Sequence, residues 1–132
     1  MKKKSLIFFL ILIAVFFRFY RLSQVPPSPS LDEASIGWNA YSILKTGRDE
    51  YGTKWPILLR AYDDWRPALY VYLVIPFVKL FGLSSTAVRA PAVLLSIITV
   101  LATYFLVKEL FPKSLFTSHY SLITTFLLAI SP

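Results

Sequence analysis

The sequence predicts an all-α polytopic membrane protein, with transmembrane helices on either side of one polar external loop. Three observations predict it. Of the 132 residues, 56% are hydrophobic and only 16% charged, with a mean hydropathy of +0.60; soluble domains carry about 25% charged residues. Long apolar runs are bordered by Lys and Arg. The acids are segregated: Asp32, Glu33, Asp49, Glu50, Asp63 and Asp64 lie between Arg21 and Pro67, and only Glu109 lies elsewhere. That middle segment also holds Arg21, Lys45, Arg48, Lys54, Arg60 and Arg66, so it is neutral, and the net charge of +7 resides at the borders of the apolar runs. Bases placed in this way point to anionic lipid headgroups, not to nucleic acid.

The first element is an apolar run from Leu6 to Phe17, preceded by Lys2, Lys3 and Lys4 and followed by Arg18-Phe-Tyr-Arg21. A span needs about 20 residues, which residues 5–22 supply if Arg18 and Arg21 snorkel and the aromatic pair sits at the headgroups. The competing reading is a cleaved leader, but bulky aromatics stand where a small-x-small cleavage site belongs. The lysines place the N-terminus in the cytoplasm and residues 23–84 outside.

The external loop opens on Val25-Pro-Pro-Ser-Pro29, a stiff non-helical spacer. Ser30-Leu-Asp-Glu33 then fits a capping box. Ile36, Ala40, Ile43 and Leu44 recur at helical spacing, Trp38 and Tyr41 lie beside them, and Gly47 supplies a stop. Residues 31–46 therefore predict an amphipathic helix lying on the membrane. Residues 48–64 read as loop, with Asp49-Glu50 solvated. Ala68 to Phe81, within a second helix over 67–82, is short and interrupted by Pro76 and Lys79, so it either lies flat or makes a short span. The flat reading sends Lys108 and Lys113 to the cytoplasm, as the positive-inside rule prefers.

Residues 86–108 contain the clearest span, Val88 to Val107, with Arg89 and Pro91 at its start. Residues 115–132 begin a further span that stops at Ser131-Pro132, and the chain is expected to be the N-terminal part of a longer protein.

Candidate chemistry is confined to the loop. Cysteine is absent and His119 is the only histidine, which removes thiol chemistry, disulfides and Cys/His zinc sites. His119 reads as a polar residue opening an apolar segment. Asp32 and Glu33 begin a helix, where acids suit the dipole; neighbours point about 100° apart, so one can cap while the other faces a cavity. A carboxylate beside another at a lipid border tends to a raised pKa and acts as a base near neutral pH. Arg66 presents a guanidinium that suits a phosphate, or instead meets a headgroup, Asp63 or Asp64. Arg89 is either a second phosphate ligand or a snorkelling anchor. Trp38, Trp55 and Trp65 read as interfacial aromatics.

The stretches PSLDEASIGWNAYSILKTGRDEYG (29–52), DDWRPALYVYLVIPFVKLFG (63–82) and AVRAPAVLLSIITVLATYFLVKELF (87–111), in this order, resemble the N-terminal part of the GT-C glycosyltransferases of family 39, the protein O-mannosyltransferase and aminoarabinose transferase kind. The resemblance implies a GT-C fold whose first external loop carries two membrane-surface helices. It implies sugar transfer, with inversion, from a polyprenyl-phosphate donor to an acceptor hydroxyl of a glycan, lipid or protein at the outer face of the cell membrane. On this basis Asp32 and Glu33 are the catalytic acids, with Asp32 as base, and Arg66 and Arg89 are substrate-binding. The family often has Lys at the position of Arg66. No cofactor is implied and no metal is required, although an acidic pair can ligate a divalent ion. The family's later spans and second acidic loop are not in these 132 residues, so the chain is expected to be incomplete as an enzyme. The reading from another class is a non-enzymatic membrane subunit or transporter fragment.

Overall fold

The computed structural model describes residues 3–61, 64–111 and 117–131. Lys2, Asp63, Lys113 and the expected start of the last span at Leu115 lie outside them. The chain is mostly helical: α1 (Lys3–Phe19), α2 (Leu31–Thr46), β1 (Leu58–Ala61), β2 (Asp64–Pro67), α3 (Leu69–Phe81), α4 (Ser85–Leu110) and α5 (Thr117–Ile130). It divides into two compact units, Arg21–Ala92 and the remainder.

The unit outside Arg21–Ala92 is built from α1, α5 and the part of α4 from Val93 onward. Its buried core is small: Ala14, Val100 and Ala129, flanked by Ile13 and Leu128. Small residues at such a seam let helix backbones approach closely. Arg18, in the last turn of α1, donates Nη1 to the Ala129 carbonyl at 3.0 Å and Nη2 to the Leu128 carbonyl at 2.9 Å. These carbonyls belong to the last turn of α5 and have no acceptor role within it. Arg18 was expected to snorkel to the interface; it caps α5 instead. The C-terminal ends of α1 and α5 thus lie together, and the two helices run in the same direction. Outward faces are apolar, with Phe8, Phe16, Ile98, Phe105 and Leu127 all exposed, which is the reverse of a water-facing surface. Among the described residues α4 alone is long and apolar enough to cross a membrane; its 26 residues rise about 39 Å at 1.5 Å each, against a hydrocarbon core of roughly 30 Å.

The Arg21–Ala92 unit holds α2, the hairpin, α3 and the start of α4. Its core is Ala40 and Ile43 of α2, Leu59 of β1, Ala68, Val71, Val74 and Val78 on or beside α3, and Ala87 and Val88 of α4. The predicted apolar face of α2 is the one buried. Gly37 marks the closest approach: a Cβ there would meet Val88 Cγ2 at 2.9 Å and Leu83 Cδ1 at 3.2 Å. Gly47 closes α2 in the left-handed region at φ 70°, its N–H donating to the Ile43 carbonyl at 2.8 Å.

The stretch 48–64, expected as loop, contains most of an antiparallel hairpin. Leu58 faces Pro67, Leu59 faces Arg66, Arg60 faces Trp65 and Ala61 faces Asp64. Four residues per strand are too few for a period-two signal, and in Asp-Trp-Arg-Pro only Trp65 favours a strand while Asp and Pro oppose one. The strand exists because Leu59 and Ala61 are buried from its partner. The expected helix over 67–82 consequently begins later, at Leu69, since Pro67 ends β2 and Ala68 donates its N–H to Ile57 at 2.9 Å. One face of α3 is buried through Val71, Val74 and Val78, and Leu69, Leu73 and Leu80 are apolar and exposed.

Candidate functional site

The head of α2 is built by the capping box that the sequence predicts. Glu33 N–H donates to Ser30 Oγ at 3.2 Å, and Ser30 N–H donates to Glu33 Oε2 at 3.2 Å. The same carboxylate takes a second, stronger partner from α4. Arg89 donates Nε to Oε1 and Nη2 to Oε2, both at 2.9 Å, a bidentate charge-assisted pair.

Arg89 has further duties. Its Nη1 donates to the carbonyls of Leu22 at 2.9 Å and Pro26 at 3.2 Å, and its Nη2 reaches Ser28 O at 3.5 Å. The reason lies in the composition of the spacer: Pro26, Pro27 and Pro29 contribute carbonyls but no N–H groups, so the segment cannot satisfy itself. The guanidinium is 7% exposed and engaged on every side. In this structure the guanidinium is committed to Glu33 and to the spacer carbonyls. Glu33 likewise departs from the expectation of a raised carboxyl. The hydrogen bonds from Arg89 hold it below the ordinary value, overcoming the opposite effect of burial, with help from the Ser30 N–H and the Arg89 charge.

Asp32, one position earlier, points elsewhere. Its Oδ1 accepts from Arg66 Nη2 at 2.9 Å. Arg66 stands on β2, so the hairpin carries the cation back to the helix head. The Asp32 side chain is 66% exposed and that of Arg66 30%. Asp32 itself does not line the cleft beside it. Arg66 does: it lines one of about 230 Å³ with Ser35, Asn39, Leu59 and Tyr70. Asp64, the other expected partner of Arg66, uses Oδ1 on the Trp65 N–H at 2.7 Å.

The four residues singled out from the sequence are thus brought together as two separate ion pairs, one buried and one open. The sequence did not give away the pairing, because both cations arrive from elements distant along the chain. It also missed a polar pair behind the site. Asn39, 2% exposed, donates Nδ2 to Ser35 O at 3.0 Å and to Glu50 Oε1 at 2.8 Å, and accepts the Glu50 N–H at 3.1 Å. Asp49, expected to be solvated, is 5% exposed; its Oδ1 accepts the N–H groups of Tyr51 at 3.0 Å and Thr53 at 2.7 Å. An Asp three residues before Gly52 is a turn signal that makes this legible in retrospect. Glu50 does remain exposed.

Among the described residues no three His, Asp or Glu side chains gather as metal ligands, and no metal centre is assigned. His119 lies on α5, away from the two ion pairs in sequence and in a different unit. No family model, no curated protein and no solved structure matches the chain.

Proposed function

We propose that this chain is the N-terminal part of a multi-pass membrane glycosyltransferase of the GT-C type. It transfers a sugar from a polyprenyl phosphate to an acceptor hydroxyl at the outer face of the cell membrane. The observation that carries the reading is the contact of Asp32 with Arg66, a carboxylate and a guanidinium held together at one exposed helix head. In the reaction the acceptor oxygen attacks the anomeric carbon while Asp32 takes its proton. The bond from that carbon to the phosphate oxygen breaks, and the polyprenyl phosphate leaves with the bonding pair. Arg66 meets the departing charge. It has five N–H donors, and among the described residues Asp32 takes one of them, so the guanidinium can hold both groups. Back-side displacement inverts the anomeric centre. Glu33 and Arg89, named with Asp32 and Arg66 from the sequence, act here as positioning residues that fix the helix head.

The membrane arrangement is supported by direction. With α1 leaving the cytoplasm and α5 parallel to it, an odd number of crossings separates them. Crossing by α4 alone satisfies this, and crossing by both α3 and α4 does not. The Arg18 bonds to α5 therefore favour α3 lying flat, with residues 23–84 outside.

One observation favours the rival reading of a non-enzymatic membrane subunit: both acids already have cationic partners. The test is sugar transfer by the full-length protein in lipid nanodiscs from a fluorescent polyprenyl-phosphate sugar. The Asp32→Asn variant, folded as judged by thermal melting, is expected to lose transfer. Undiminished turnover in Asp32→Asn would remove Asp32 from the mechanism, and absence of transfer by the wild type would leave the subunit reading standing.

A further inference from the structure

Beside the helix head lies a second cleft, of about 260 Å³, lined by Ala34, Ser35, Trp38, Glu50 and Tyr51. It is smaller than the roughly 300–1,000 Å³ of pockets for drug-sized ligands, and matches one small ring in scale. Its walls are two aromatic side chains, Trp38 and Tyr51, 50% and 55% exposed. Each is braced from elsewhere. Trp38 stacks on Tyr41 at 6.0 Å between centroids, and the Arg60 guanidinium sits 5.3 Å from the Tyr51 ring. Ala34 and Ser35, both small, leave the space between the walls open.

The charged group in the cleft is the Glu50 carboxylate, and it is built in. Buried Asn39 grips Glu50 by its backbone N–H and by Oε1. Among the described residues Oε2 has no partner. A fixed carboxylate oxygen accepts hydroxyl hydrogens strongly. Its charge repels an acidic ligand. Aromatic faces carry partial negative charge and so attract the weakly positive C–H face of a sugar ring. Apolar walls, one fixed acceptor and no committed cation describe a neutral polyhydroxylated ring.

We propose that this cleft binds a neutral pyranose, the sugar ring on which the acceptor hydroxyl is carried or the ring being transferred. The proposal rests on the transferase reading and names its substrate class. Ser35 ties the two places together. It borders this cleft and the one containing Arg66, and it lies three residues after Asp32, on the adjoining face one turn along.

The test is saturation-transfer NMR on the protein in lipid nanodiscs with methyl α-mannopyranoside, methyl β-glucopyranoside and methyl β-galactopyranoside. At about 20 mM, above the millimolar affinity typical of a few contacts, at least one is expected to receive saturation on its ring C–H protons. Glu50→Gln, which keeps shape and removes charge, is expected to weaken binding about tenfold. Trp38→Ala should abolish it and Trp38→Phe should partly restore it. Lys79→Ala, on α3 and outside the cleft, should leave binding unchanged. Competition assigns the source: displacement by a mannosyl polyprenyl phosphate, but not by bare polyprenyl phosphate, identifies the donor ring, and undisturbed binding identifies the acceptor. No saturation in any glycoside, or equal saturation in Trp38→Ala and Glu50→Gln, overturns the proposal. If Asp32→Asn loses transfer while no glycoside binds, the transferase reading survives and this site does not.

Discussion

Asp32 and Arg66 are joined by one hydrogen bond of 2.9 Å, between the first turn of a helix and the second strand of a hairpin. Because Asp32 is two-thirds exposed, the pair contributes little to stability, at most about 1 kcal/mol. On the proposed transferase reading its loss is instead felt in chemistry. Asp32→Asn is expected to lower transfer about 10²–10⁴-fold, the range for removing a general base, with a melting temperature close to wild type. Arg66→Lys should retain part of the activity and Arg66→Gln almost none, since charge survives the first change and not the second. Transfer assays beside thermal melts check both.

The second pair should behave in the opposite way. Arg89 is almost fully buried and Glu33 three-quarters so, and removing one partner strands the other. Glu33→Ala is expected to cost about 3 kcal/mol. Arg89→Ala should cost at least as much, because the carbonyls of Leu22, Pro26 and Ser28 lose their donor. Thermal melting gives the magnitude, and limited proteolysis should show new cleavage in residues 21–30.

Acid should reproduce part of that loss. The Glu33 carboxyl is lowered from an ordinary value of 4.5. Its stabilisation is therefore complete above that value and disappears as the pH falls through the lowered folded pKa. Melting temperature measured from neutral pH down to about pH 3 should drop more steeply below the ordinary Glu range in wild type than in Glu33→Gln.

Gly37 offers a packing test. A methyl group there would lie 2.9 Å from Val88 Cγ2. Gly37→Ala gains about 1 kcal/mol of helix propensity against an overpacking cost of about 1–3 kcal/mol, so a net loss of up to about 2 kcal/mol is expected. Val88→Ala removes the atom in the way. In the double variant the Gly37→Ala change should turn neutral or favourable, a coupling that a double-mutant cycle measures directly.

Direction in the membrane is open to labelling, since the chain has no cysteine. Single cysteines at Lys54 and Ser131 should react with an impermeant maleimide added outside intact cells, and one at Glu109 only after permeabilisation. Reaction at Ser131 from the inside only would mean that α3 crosses.

How much of this was visible beforehand depended on whether the signal was local. The capping box, the buried face of α2 and the long apolar helix α4 are written in short repeats of residue type, and each was legible. Arg18 was recognised as a border residue but not as a cap, because the carbonyls it serves belong to α5, more than a hundred residues away. The hairpin was missed for a related reason. Its second strand has one strand-favouring residue, Trp65, between Asp and Pro, and exists by pairing with Leu58–Ala61. Glu33 and Arg89 were identified as important through their chemistry, and the structure gives them architectural work: the proline spacer creates a demand for donors that is apparent in composition, but which side chain answers it is a tertiary fact.

Arg89 binds the carbonyls of a segment unable to bond to itself and, with the other edge of the same planar group, grips the residue adjoining Asp32. Whatever tilts that plane must shift the neighbouring aspartate as well. On the transferase reading, a substitution at Arg89 is therefore expected to imitate an inactivating lesion while every reacting group keeps its identity.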